Sequence, residues 1–272
     1  MGYLLILLGI ALPMYSFIFM SIRKINQEGQ YEEYVQEIAP DSDLEDQEIE
    51  AYEDEAMDLD PVDPFSQEGY DAQYKFYRDH PDEIFAYLSI PKLELKKPVY
   101  LEASYDHLDK GIAHVDGTSL PIGGLSRRSV IAGHRGWYRD TMFLNLHLLE
   151  PGDQVILERR DKALYYEVHN REIIGPNDWE ALSPWEGEDV LTLLTCDPIA
   201  PPRPKRLLIN CLRTEAPEPK KDPGLAETPQ VEQQAPDPKV KRVDMGIYGI
   251  TLALMVLFIV TFSRFFIYLF GE

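Results

Sequence analysis

Both ends of this chain are apolar, and this restricts what the middle can do. Residues 1–22 carry no charged side chain and are rich in Leu, Ile, Met and Phe; residues 245–263 are likewise uncharged, and the apolar character resumes after Arg264 through Phe270. Each stretch is long enough to cross a hydrocarbon layer of about 30 Å. The polypeptide between them is therefore expected to fold beside a bilayer. The first stretch could also be a secretory signal, but it lacks a basic start and a small-x-small cleavage site, so we read it as a retained anchor. Arg23 and Lys24 follow the first span, and Lys239, Lys241 and Arg242 precede the second. Taken literally, these basic residues keep the middle in the cytoplasm, but long domains translocate largely regardless of such charges.

The 272-residue chain leaves room between the spans for one domain of ordinary size. Its formal net charge of −21 argues against nucleic acid as a partner. Much of that charge is local: from Glu32 to Asp60 there are fourteen Asp or Glu and no Lys or Arg. Such a stretch cannot pack a core alone and reads as a solvated helix or mobile spacer. It lacks the glycine-turn spacing of an EF-hand loop. Glu215 to Pro238, rich in Pro, Glu, Gln and Lys, reads as a linker.

The middle reads as mainly β. Ile84–Ile90, Leu93–Tyr100, Ser129–Ala132, Gln154–Glu158, Leu164–Ile174, Val190–Thr195 and Leu207–Leu212 are short and rich in Val, Ile, Leu and Tyr. The separators carry Pro, Gly, Asp and Asn, a pattern that predicts a barrel or sandwich. Thr141–Leu149 is expected to be a short helix ending before Pro151 and Gly152.

Three of these strands end on residues with chemistry to offer. Thr192-Leu193-Leu194-Thr195-Cys196 closes an apolar run on one of only two cysteines. A cysteine alone is more often a buried small hydrophobe than a nucleophile. Here Pro198, Pro201, Pro202 and Pro204 follow at once, which puts Cys196 at the mouth of a stiffened loop as an expected free thiol. Cys211, the other cysteine, falls on a strand whose apolar neighbours predict burial. Of six histidines, His134 alone ends an apolar run between glycines, with His114 its nearest rival; His80, His107, His147 and His169 read as structural or solvent-exposed. Arg206 opens the strand after the proline loop, and Arg203 within that loop is the second choice. A thiol, an imidazole and a guanidinium could serve as nucleophile, acid/base and charge stabiliser.

With these residues in place, the chain is similar to the sortases, cysteine transpeptidases of the Gram-positive cell surface. The similarity runs from about Ile84 to Arg213 and includes Ile90-Pro91-Lys92-Leu93, Gly111-Ile112-Ala113-His114 and Gly117-Thr118-Ser119-Leu120-Pro121-Ile122-Gly123-Gly124. Those phrases resemble the class C branch, which polymerises pilins. Asp63-Pro64-Phe65 matches the Asp-Pro-aromatic lid of that class, and the second apolar end matches its C-terminal span. The proline-rich loop before Arg206 and the heavy acidic segment depart from the family's pattern.

The resemblance implies a closed β-barrel with short helices, an N-terminal helical segment with a lid, and a transmembrane helix at each end. In this partition residues 1–22 are an anchor or uncleaved signal, 23–62 the acidic segment, 63–80 the lid and lead-in, 81–214 the catalytic barrel, 215–242 the linker and 243–270 the C-terminal span. It further implies catalysis by His134, Cys196 and Arg206, a lid of Asp63, Pro64 and Phe65, and Thr195 and Arg203 as candidates to line a substrate groove. The expected substrates are pilins or surface proteins with LPXTG-like signals, cleaved between Thr and Gly and joined to a lysine amine. No metal or organic cofactor is implied. The catalytic domain would lie on the extracellular face of the membrane. The alternatives are a sortase attaching proteins to peptidoglycan and a non-catalytic pilus-assembly scaffold.

Overall fold

Strands whose apolar residues alternate must bury one face, and a sheet that closes on itself does so without leaving an edge. The computed structural model of the chain takes this solution. It describes residues 2–37, 49, 52, 61, 63–65, 83–136, 138–160, 162–216 and 234–270. Most of the acidic segment, the lead-in to the barrel with His80, and most of the linker lie outside the described residues.

The eight strands are β1 (Ala86–Ile90), β2 (Leu95–Tyr100), β3 (Ile112–His114), β4 (Arg127–Ala132), β5 (Gln154–Arg159), β6 (Lys162–Ile174), β7 (Asp189–Asp197) and β8 (Lys205–Thr214). They close in the order β1-β2-β3-β4-β7-β8-β6-β5. Two pairings, β2 with β3 and β4 with β7, are parallel. Leu88, Val99, Ile131, Leu193 and Ile209 belong to the cluster that fills the barrel. The intervening residues of the same strands, such as Val130, Ala132, Leu194 and Leu208, join a second cluster on the outer face with Leu108 and Leu182. That double coverage explains why β7 is buried on both faces and reads as a continuous apolar run.

Two elements escaped the sequence pattern, and one expected element is absent. The helix α1 (Gly2–Glu37) is followed, after β2, by the short α2 (Tyr105–Lys110), capped where Ser104 Oγ accepts from the His107 amide at 3.4 Å. Strand β3, at three residues, was also missed. Thr141–Leu149 is not an α-helix: Met142 lies in the left-handed region at φ 42°, and the Phe143 amide donates to His134 O at 3.0 Å. A 3-10 turn at Leu146–Leu148 is what remains. Leu146 and Leu149 instead join Phe143 in the cluster that fills the barrel.

The last helix, α3 (Pro238–Phe270), runs antiparallel to α1. Tyr3 packs on Phe265 and Tyr268, Ser21 Oγ and Thr251 Oγ1 are 3.0 Å apart, and Lys24 Nζ lies 3.1 Å from Asp244. Both helices are long and apolar enough to cross a membrane. α1 continues unbroken past its apolar part onto the barrel, where Tyr31 and Tyr34 pack on Tyr87.

Candidate active site

Register brings the three candidate residues to one face. In the antiparallel pair β7–β8, Cys196 stands directly opposite Arg206, a relation that sets their Cβ atoms about 5 Å apart. In the parallel pair β4–β7, Val130 matches Thr192 and Ala132 matches Leu194, so extending the same register sets His134 level with Cys196. The ladder does continue beyond β4. The Gly133 amide donates to Leu194 O at 3.1 Å, and Thr195 Oγ1 donates to Gly133 O at 2.7 Å. All three positions share the outward parity of Val130, Leu194 and Leu208, so their side chains leave the barrel on one side. Gly133 itself has no room for a side chain: an added Cβ would meet Ile112 and Phe143 at 2.8 Å.

Asp63, Pro64 and Phe65 lie across this face. Arg206 Nε donates to Asp63 Oδ1 at 3.1 Å and Nη2 to Oδ2 at 2.6 Å, a fork matched to a carboxylate. The Phe65 amide donates back to Asp63 Oδ1 at 3.3 Å, which fixes the tripeptide as a turn. Its ring sits 5.7 Å from the His134 ring and under the Arg206 guanidinium at 5.3 Å. Tyr105, from the start of α2, packs edge-on against the other side of His134 at 5.7 Å.

This covering sets the electrostatics. Burial pushes the Cys196 thiol up; Arg206 opposes that, and Asp63 reinforces it. Burial also lowers His134 to about 4, with Asp109 pulling it upward and Arg203 pushing it down. With Asp63 and Phe65 against the site, the thiol and imidazole are both held toward their neutral forms. Cys211, fully buried in the barrel, has its thiol pushed far up by desolvation and cannot share this chemistry.

The other sequence candidates fall elsewhere. Arg203 donates through Nε and Nη2 to Ile199 O at 3.0 and 2.8 Å, which folds the proline loop on itself. Thr195 does not line a groove: it is fully buried, because its parity points it into the barrel and its hydroxyl is turned to Gly133. His114 is fully buried, with Nε2 directed at Ser119 O at 2.8 Å. Arg135 carried no signal in sequence, yet its guanidinium is buried and donates to Cys196 O at 3.1 Å. Tyr105 and Asp109 were also missed, since only the tertiary placement of α2 brings them to His134.

The chain is similar in sequence and fold to known proteins. The Sortase domain model matches residues 88–214. Sortase D of Bacillus subtilis is 30% identical over 124 residues, 45% of this chain and 60% of that protein, so the chain spans less than two thirds of this curated relative. Among solved structures, sortase C-3 of Streptococcus pneumoniae is 39% identical with a TM-score of 0.64, covering 69% of this chain and 90% of that one. A pilus-related sortase C of Group B Streptococcus is 29% identical with a TM-score of 0.60, covering 68% and 95%.

Proposed function

This chain belongs to the sortase family, and on that footing we propose that it is a membrane-anchored cysteine transpeptidase that joins pilin subunits on the extracellular face. The observation that carries the reading is the register: Cys196 opposite Arg206, and His134 level with Cys196 on the adjoining strand. The pilin assignment draws on the likeness to sortase C structures, one of them pilus-related, and on the Asp63–Arg206 contact.

The reaction begins with the lid displaced by an LPXTG-like sorting signal. Water and substrate then reach His134, and its pKa returns toward the ordinary value of about 6.5. Arg206, freed from Asp63, favours transfer of the Cys196 proton to His134, which gives the thiolate and the imidazolium together, and donates to the oxygen that becomes negative in the tetrahedral intermediate. The thiolate attacks the threonine carbonyl. The Thr–Gly bond breaks, and the departing amine takes a proton from the His134 imidazolium, leaving a thioacyl enzyme. A lysine amine of the next subunit then attacks the thioester, gives a proton to His134 and expels the thiolate as the isopeptide bond forms.

The test is direct. Full-length protein in detergent, incubated with an LPXTG-type peptide, should give a Cys196 adduct of the acyl half by mass spectrometry, and Cys196→Ala should give none. Failure of Asp63→Ala, with its lid released, to form any adduct would sink the enzymatic reading and leave the scaffold alternative. The alternative acceptor is a peptidoglycan amine. Competition between a lysine-bearing pilin and a cell-wall amine for the thioacyl enzyme decides between the two.

A further inference from the structure

The apolar part of α1 ends at Ile22, and the next side chain points toward the barrel. Arg23 Nη1 donates to Asp109 O at 2.9 Å and stands 3.5 Å from Asp140 Oδ2. These two partners belong to the two elements that flank His134. Asp109 lies in the last turn of α2, whose first residue, Tyr105, packs against the imidazole. Asp140 lies in the turn that leaves His134 and returns when the Phe143 amide donates to His134 O.

The junction is tightly built. Asp140 is buried and accepts from Lys97 Nζ at 2.6 Å, and its second oxygen takes the Met142 amide at 3.0 Å. Arg139 of the same turn donates to Asp109 Oδ2 at 2.5 Å, so the turn and α2 are also joined to each other. One guanidinium at the membrane end of the anchor thus touches both supports of the imidazole. Other polar contacts of α1 with the barrel go elsewhere, among them Lys24 and Gln27 to Glu94 O, Glu28 to Lys96, Tyr31 to Glu158 and Tyr34 to the Arg160 amide.

We infer that Arg23 is a positioning residue for His134, acting through Asp109 and Asp140, so that the membrane anchor forms part of the active-site support. The anchor then does more than tether. Withdrawing the guanidinium leaves α2 and the turn after His134 joined to each other through Arg139 but released from the anchor, and a small misplacement of an acid/base group is costly to its rate. The kinetic side of this inference rests on the proposed transpeptidation, whereas the structural side does not.

The experiment uses the full chain in detergent with isotope-labelled histidine, the His134 ring signal being assigned by its loss in His134→Asn. Arg23→Ala should move that signal. It should also lower kcat for peptide cleavage about tenfold with KM within about twofold, because the groove and thiol are untouched. Arg23→Lys, which keeps the charge but can serve one partner at a time, should lie between. Glu28→Ala, which removes a different contact between α1 and the barrel, should match the wild type. The inference is overturned if Arg23→Ala leaves the His134 signal in place or if Glu28→Ala moves it as far. Should Arg23→Ala not fold, the lysine variant decides by the same signal. A wild type that forms no peptide adduct would remove the proposed function, yet the His134 signal would still settle the role of Arg23.

Discussion

Cys196 has a reactivity set by what stands opposite it. Its thiol is partly covered, and desolvation alone disfavours the thiolate. Arg206 across the ladder works the other way, but its guanidinium is engaged by Asp63, whose own charge opposes the thiolate. Removing that carboxylate therefore acts three times in one direction: a negative charge leaves, a positive charge is released, and Phe65 loses its tether. Asp63→Ala should raise the rate of Cys196 alkylation by iodoacetamide at pH 7 about tenfold, through a larger thiolate fraction and a less covered sulfur. Asp63→Asn, which keeps a hydrogen-bonding side chain near Arg206, should accelerate it less. Equal rates in all three proteins would mean that the tripeptide does not gate the thiol.

At the scale of elements, the contact that keeps β4 and β7 working together is the Thr195 hydroxyl on Gly133 O, because it extends the ladder past the last paired residues of β4. Thr195→Val keeps the shape and removes the donor. Leaving that buried carbonyl short of its partner costs about 1–3 kcal/mol, which a lowered thermal midpoint would register. Thr195→Ser should recover most of it, while a Thr195→Val protein as stable as wild type would deny the hydroxyl this role. The same parity explains what could be read from sequence. Strands such as β7 and β8 were legible because two covered faces demand unbroken apolar runs. Cys196, His134 and Arg206 stood out because each sits where such a run begins or ends. Strand β3 was not legible, since three residues carry no period. Thr141–Leu149 misled because leucines spaced for a helix serve equally well as a plug once Met142 takes a left-handed conformation. Thr195 was misplaced because an unbroken apolar run does not say which parity faces the barrel. Tyr105, Asp109 and Arg135 depend on contacts between segments distant in sequence, which no local pattern encodes.

For the whole molecule, the barrel is gripped from two sides by its terminal helices. α1 lies along β1 and β2, and the approach to α3 is pinned where the Asp237 amide donates to Lys92 O, Gln234 Nε2 donates to Asp153 Oδ1, and Val240 is buried. Such a molecule should unfold as a unit, so a group buried anywhere in it reports on global stability. His114 is the clearest case. It is fully buried, and desolvation lowers it to about 4 despite its hydrogen bonds to Ser119 and Thr118. In the unfolded chain it titrates near 6.5. Between these values the unfolded state binds the extra proton, so stability rises with pH. The contribution is fully present above about pH 6.5 and is lost as the pH falls toward 4, amounting to about 3 kcal/mol for this one residue. His134 adds in the same direction while Phe65 packs against it. Asp140, held below its ordinary value by Lys97 and Arg23 against the cost of burial, gives way only at still lower pH and leaves this window to the histidines. The net charge of −21 works against the trend, because partial protonation relieves self-repulsion. A paired measurement removes that background. The thermal midpoint of full-length wild type in detergent should fall more steeply between pH 6.5 and 4.5 than that of His114→Gln. That variant can still donate to Ser119 O but cannot be protonated, so it should start lower at pH 7 and follow a shallower slope. Parallel slopes for the two proteins would show that His114 is not what makes the barrel sensitive to acid.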